Sequence, residues 1–271
     1  MTAQTTPAIS LRGATKTFAT KAGTPFTAIT DVTLDVAAGE FVTIVGPTGC
    51  GKSTTLSLVS GLEPATVGTV DVHGQPVTGI PDGVGYMFQA DAVLPWKNVL
   101  ENVAIGLRYQ GVSKAEAHER SRDWIHRVGL AGFEDRYPHQ LSGGMRKRVA
   151  MAQSLIGEPS LLLLDEPFGA LDVQTRELMQ DELLDLWSGT GAAVVFVTHD
   201  LTEAIALADR VVVMTAGPAT IKDIVPIDLP RPRRVEDIRL TPEFTELYRT
   251  VWDSLREEVE ITRARGAFRV A

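Results

Sequence analysis

The sequence predicts an α/β fold: a mostly parallel sheet, an N-terminal antiparallel β subdomain and an inserted α-helical subdomain. Three observations carry this expectation. Residues 41–45, a glycine-rich stretch and a helical pattern from Lys52 follow one another directly, as strand, tight loop and helix. Residues 161–164 and 193–198 are apolar on every side, like strands covered on both faces of a parallel sheet. Between the two sets, from Asn98 to about Gly157, the apolar period becomes that of helices.

Each element has its own signal. Residues 9–11, 32–36 and 41–45 cluster or alternate apolar side chains as strands do, with a turn at 37–40. Residues 68–73 and 84–88 are further strands, separated by the turn residues Gly74, Pro76, Gly79, Pro81, Asp82 and Gly83. Ser113 with Glu116 forms a capping box for a helix that runs to Val128 and stops at Gly129. Another helix starts at Ser142 and runs through Val149 and Leu155 to Gly157, just before Pro159. A helix over Val173–Trp187 follows the strand at 161–164, and a second capping box, Asp200 with Glu203, opens a short helix after 193–198. Strands at 210–215 and 221–225 complete the sheet. Pro226, Pro230 and Pro232 mark a linker, and from Pro242 the mixed-charge pattern predicts one or two amphipathic helices, a solvated appendage. The organisation is thus 1–90 with 159–230 as core, 91–158 as helical insert and 231–271 as tail.

Composition removes several classes of function. A net charge of −8, from 34 acidic and 26 basic residues, argues against a surface that coats nucleic acid. Cys50 is the only cysteine, so no intramolecular disulfide and no cysteine zinc site can form, which points to a reducing cytoplasm. The opening MTAQTTPAIS lacks the basic start and apolar centre of a signal peptide. Apolar runs such as 161–164 and 211–214 fall far short of the roughly 20 residues that span a bilayer.

The glycine-rich stretch is Gly46-Pro47-Thr48-Gly49-Cys50-Gly51-Lys52-Ser53-Thr54, a gapless match to G-x-x-x-x-G-K-[S/T], the P-loop. Its glycines let backbone N–H groups close around phosphate oxygens, and the following helix adds its positive end. Lys52 can reach the β- and γ-phosphates, and the Ser53 hydroxyl can ligate Mg²⁺. Cys50, at that helix N-terminus, is expected to favour its thiolate. The run at 161–164 ends in Asp165 and Glu166, where a buried strand delivers one carboxylate for Mg²⁺ and one to polarise an attacking water. Leu141-Ser142-Gly143-Gly144-Met145 is a second anion-binding helix start, so the chain carries two phosphate devices and one P-loop.

Taken in order, these motifs over about 9–225 resemble the ATP-binding cassette (ABC) family, with LSGGM similar to its signature. The resemblance implies ATP and Mg²⁺ as ligands, and a head-to-tail homodimer in which ATP lies between the P-loop of one copy and the signature of the other. It also implies roles for four more residues. Phe18 matches the aromatic, usually Tyr, that stacks on adenine. Gln89 matches the glutamine that contacts Mg²⁺ and the attacking water and hinges the insert. Asp172 matches an aspartate that touches the other subunit, and His199 the switch histidine that reaches the γ-phosphate. The implied function is an ATPase on the cytoplasmic face of the inner membrane. It would drive a transmembrane permease supplied by an extracytoplasmic solute-binding protein. The stretch 93–103, with Trp96, and the string Met145-Arg146-Lys147-Arg148 resemble the subgroup serving nitrate, taurine and aliphatic sulfonates. Trp96 reads equally as loop packing or as a partner contact. The other reading is an ABC ATPase outside transport, such as an iron–sulfur assembly component.

Overall fold

The structure, a computed structural model, describes residues 6–20, 23–90 and 92–267. In chain order the elements are β1 (Ile9–Phe18), β2 (Phe26–Val36), β3 (Phe41–Val45), α1 (Lys52–Val59), β4 (Val67–Val72), β5 (Gln75–Pro76), β6 (Val84–Met87), α2 (Val99–Tyr109), α3 (Lys114–Arg127), a 3-10 turn at Pro138–Gln140, α4 (Gly143–Leu155), β7 (Leu161–Asp165), α5 (Val173–Trp187), β8 (Ala193–Val197), α6 (Leu201–Leu207), β9 (Arg210–Met214), β10 (Ile221–Pro226), α7 (Val235–Ile238) and α8 (Pro242–Ala267). They divide into two units, residues 1–82 with 191–271, and residues 83–190.

In the first unit, β2-β1-β4-β5 form an antiparallel sheet, with Leu11 opposite Leu34 on one side and Val70 on the other. A second ladder runs β10-β9-β3-β8. Its centre is β3, buried at every position and parallel to both β8 and β9, with Thr43 opposite Phe196 and Val211. The one polar side chain in that strand is satisfied internally: Thr43 Oγ1 donates to Ala204 O at 3.1 Å. Because β3 and β8 are parallel, the loops after Val45 and Val197 leave the sheet at the same edge, where open α/β sheets bind ligands.

In the second unit, β6 pairs in parallel with β7, Met87 opposite Leu164, so residues 88–90 and 166–172 also leave from one edge. Side-chain caps set its helices: Asn98 Oδ1 accepts from Glu101 N at 2.9 Å, Ser113 Oγ from Glu116 N, and Ser142 Oγ from Met145 N.

The structure corrects several expectations. Strands β1 and β2 extend well beyond 9–11 and 32–36. Register shifts after Leu11 and around Lys16, with Gly13 at φ +57° and Asp31 at φ +49°, break the period-2 pattern that sequence reading follows. Pro76 lies in β5, not in a turn. Asp200 caps α6, accepting from Thr202 N and Glu203 N, and the Glu203 carboxylate accepts from Thr198 Oγ1 at 2.5 Å.

The tail is not a solvated appendage. From Pro242 to Ala267 it is one long helix, α8, packed on α6, β9 and β10 and burying Phe244, Val251 and Leu255. The linker before it is pinned as well. Arg231 pairs with Asp209 at 2.8 Å, and buried Arg233 donates to Ala208 O at 2.6 Å and Leu229 O at 2.7 Å. Burial pushes the Arg233 guanidinium down to about 10.

Candidate active site

The first unit builds the glycine-rich loop at 46–54. At Gly46 a Cβ would lie 2.9 Å from Cys50 Sγ and 3.2 Å from Met214. Gly51 has φ +127°, and a Cβ there would come within 2.5 Å of Ile29 Cγ2 and 2.9 Å of Ala28 O. Only glycine meets both the conformation and the space. Helix α1 then starts at Lys52 with no side-chain cap, so its first amides face the loop. Lys52 is buried, its Nζ donating to Gly46 O at 2.9 Å and Pro47 O at 3.1 Å. Thr48, Gly49 and Ser53 are exposed, and Thr54 is half-buried.

The expected thiolate at Cys50 does not hold. The side chain is 2% exposed, and burial raises its thiol above the ordinary value, outweighing the charge of Lys52.

His199 is exposed at the end of β8 between two anchored neighbours. Thr198 Oγ1 accepts from Asp200 N at 3.0 Å, and Asp200 Oδ1 accepts from Thr202 N at 2.8 Å. The structure brings His199 together with Gly46, Pro47 and Thr48 around a cavity of about 480 Å³, whose far wall is α8. Phe18 lies at the tip of β1, opposite Phe26 and half-buried, with Lys16 Nζ 4.9 Å from its ring centre.

The second unit groups the carboxylates with the glutamine. Gln89 Nε2 donates to Glu166 Oε2 at 3.2 Å. Asp165 is 8% exposed at the end of β7, and its charge, after burial, raises the Tyr86 phenol above its usual range. Glu166 has φ +44°, a left-handed conformation rare outside glycine and asparagine. Lys147, buried on α4, donates to Gln89 O at 3.1 Å. It ties the helix that begins at Ser142 to the loop carrying Gln89. Sequence reading placed Lys147 only in a subgroup string; nothing in its spacing signals that tether.

Ser142 and Gly143 are exposed at the start of α4. Gly144 lies against α5, where a Cβ would sit 2.9 Å from Thr175 Cγ2. Thr175 N in turn donates to Asp172 Oδ1 at 3.0 Å, which holds that carboxyl below its ordinary range. The start of α4 and Asp172 therefore share one helix–helix contact.

The family model described as ABC transporter matches residues 29–169, from β2 through the two carboxylates. This chain is an ATPase of the ABC transporter family. The ABC ATPase is 47% identical to the uncharacterized ABC transporter ATP-binding protein MJ0412 of Methanocaldococcus jannaschii over 86% of this chain and 85% of that protein. It is 45% identical to the taurine import ATP-binding protein TauB of Burkholderia pseudomallei, over 86% of this chain and 92% of TauB. Among solved structures, it superposes on the dimeric ATP-binding cassette MJ0796 in a post-hydrolysis state bound to ADP and phosphate. That match has a TM-score of 0.73 and 30% identity, and it covers 82% of this chain and all of that one.

Proposed function

We propose that this ABC ATPase powers an importer assembled from separate chains, with taurine, nitrate, a sulfonate or a related small solute as cargo. The observation that carries the reading is the 45% identity to a taurine import subunit over nearly the whole of that protein. In this reading a transmembrane permease carries the solute, an extracytoplasmic binding protein delivers it, and this chain works on the permease's cytoplasmic face. Trp96 is 70% exposed, which favours partner contact over loop packing. The second unit also opens an apolar cleft of about 430 Å³ that includes Tyr86, Phe88, Leu94 and Ile105, a surface suited to a permease helix.

Two copies bind head to tail. Residues 1–90 with 159–230 hold the nucleotide, 91–158 form the helical signature subdomain that passes on the motion, and 231–271 form the tail. The P-loop amides from Gly46 to Thr54, Cys50 among them, and Lys52 take the phosphates, and Phe18 stacks on adenine. Ser142, Gly143 and Gly144 of the opposite copy grip the triphosphate from its other side, with Asp172 at the contact between copies.

Ser53, Gln89 and Asp165 would hold Mg²⁺. A hydroxyl, an amide oxygen and a carboxylate are the hard donors this ion takes beside substrate phosphates. Among the described residues no group of three or more His, Cys, Asp and Glu forms an all-protein cage, which fits an ion shared with substrate. When bound, the ion neutralises charge developing on the phosphates. Glu166 accepts the proton of the attacking water, oriented by its bond from Gln89, and His199 donates to the γ-phosphate.

Glu166→Gln should keep ATP binding, lose turnover by about 10² or more, and accumulate an ATP-bound dimer on size exclusion. Wild-type turnover in that variant removes Glu166 as base. For the cargo, a strain lacking this protein should lose uptake of labelled taurine, nitrate or an alkanesulfonate; unchanged uptake of all three sinks the assignment.

A further inference from the structure

The floor beneath the phosphate loop is made of two backbone segments. One is β2, where Ala28 and Ile29 meet Gly51. The other is the loop between β9 and β10. Met214, the last residue of β9, abuts Gly46, and in the loop itself the Cβ position of Gly217 lies 3.7 Å from Cys50 O and 3.9 Å from Gly49 O. The two segments are stitched together: Ala219 N donates to Ala28 O at 2.9 Å and Thr30 N to Ala219 O at 2.8 Å. Any displacement of residues 214–219 is therefore felt by the loop at once.

From the other side, this segment is held by a charged group of the tail helix. Glu258 of α8 is 7% exposed, although a carboxylate of a surface helix ordinarily points to water. Its Oε2 accepts from Ala216 N at 2.8 Å, and its Oε1 pairs with Lys222 of β10 at 2.7 Å. Lys222 also binds Glu257 at 2.9 Å. Both carboxylate oxygens are used, one on the loop's backbone and one on the strand that follows it. Within one turn of Glu258 on α8, Leu255 and Val259 line the cavity that Thr48 and His199 close, together with Tyr248 and Trp252 further back along the helix. One helix thus braces the loop's floor and walls its open flank.

We propose that Glu258 is a positioning residue for nucleotide binding: through Ala216 it fixes the segment on which the phosphate loop rests, so α8 and the nucleotide are energetically coupled. The proposal rests on the reading that residues 46–54 hold ATP. Such coupling is reciprocal, so nucleotide must tighten α8 as much as α8 tightens nucleotide.

The test uses the full-length protein and Mg-ATP. Glu258→Leu should raise the nucleotide Kd about tenfold, the scale of losing a buried charge-assisted hydrogen bond. It should also speed labelling of Cys50, the chain's only thiol, by a disulfide reagent. Glu258→Gln, whose amide oxygen can still accept from Ala216 N, should regain most of the lost affinity, although it loses the ion pair with Lys222. A wild-type Kd and wild-type Cys50 labelling in folded Glu258→Leu overturn the proposal, as does equal loss in the Gln and Leu variants.

If Glu258→Leu does not fold, the wild type decides alone. Saturating Mg-ATP should slow hydrogen exchange at the Ala216 amide and across 255–261 at least severalfold. Unchanged exchange there, with nucleotide bound, overturns the brace and leaves the P-loop reading intact. Failure of the wild type to bind nucleotide overturns both.

Discussion

Gly51 shows how tightly single residues are specified around the loop. Its left-handed backbone and the 2.5 Å approach to Ile29 leave no room for a methyl group. Gly51→Ala should therefore cost about 3 kcal/mol in urea unfolding and abolish nucleotide binding in a titration. Cys50 sits one residue away with its thiol raised by burial. A raised thiol contributes stability below the ordinary value of 9.0, and that stability is lost as pH climbs through the higher folded value. Alkylation of Cys50 in the folded protein at pH 8 should thus be slower than in urea-unfolded protein, and thermal stability should fall above pH 9. Equal alkylation rates would contradict the burial. The structure places 46–54 between β3 and α1, 142–144 at the start of α4 and Asp165 at the end of β7, where sequence reading put them, because glycine spacing, an N-cap serine and an apolar run are local signals. The thiolate expectation failed because a helix N-terminus speaks of field, while burial depends on how closely the loop folds on itself, with the sulfur packed against Gly46.

At the level of elements, legibility followed local signals. Helix α5 begins and ends where sequence reading put it, since Asp172 caps its start and Ser188 and Gly189 end it. Strand β3 is apolar but for Thr43, buried throughout and bounded by turn residues, and its limits too were plain. β1 and β2 were cut short because their bulges interrupt alternation, and a bulge is a property of the pair rather than of either strand. The tail was misjudged for a related reason. Helix α8 carries Glu257 and Glu258 on what looks like a solvent face; the partners that bury Glu258, Ala216 and Lys222, lie about 40 residues away. Leu255 faces the same interior at 5% exposure, so Leu255→Ala should lower unfolding free energy by about 3 kcal/mol. A change within 0.5 kcal/mol would return α8 to the status of an appendage.

For the molecule as a whole, the surplus phosphate-binding helix start is the feature a single copy cannot use by itself in the proposed dimer. Ser142 is exposed, so Ser142→Arg alters the surface offered to another copy and removes one N-cap, a loss of about 1 kcal/mol. In a Glu166→Gln background it should erase the ATP-dependent dimer in light scattering while the protomer still binds nucleotide. A dimer that persists would separate the signature from assembly. The fold class was readable because strand, loop and helix patterns recur in order. Sequence reading also joined 1–90 to 159–230 around an insert at 91–158; what it did not give is that β6, β7 and α5 group with that insert as residues 83–190, which no local pattern reports.

That grouping has a consequence for biosynthesis. Residues 83–190 are contiguous and can organise as soon as they leave the ribosome, whereas β3 has no lattice of neighbours until residues 193–214 have been translated. At ~5–20 residues per second, the nascent FVTIV segment waits on the order of ten seconds, unpaired and adhesive, for the strands that shelter it. The loop at 46–54, although translated before residues 83–190, gains the Met214 side of its floor only after them.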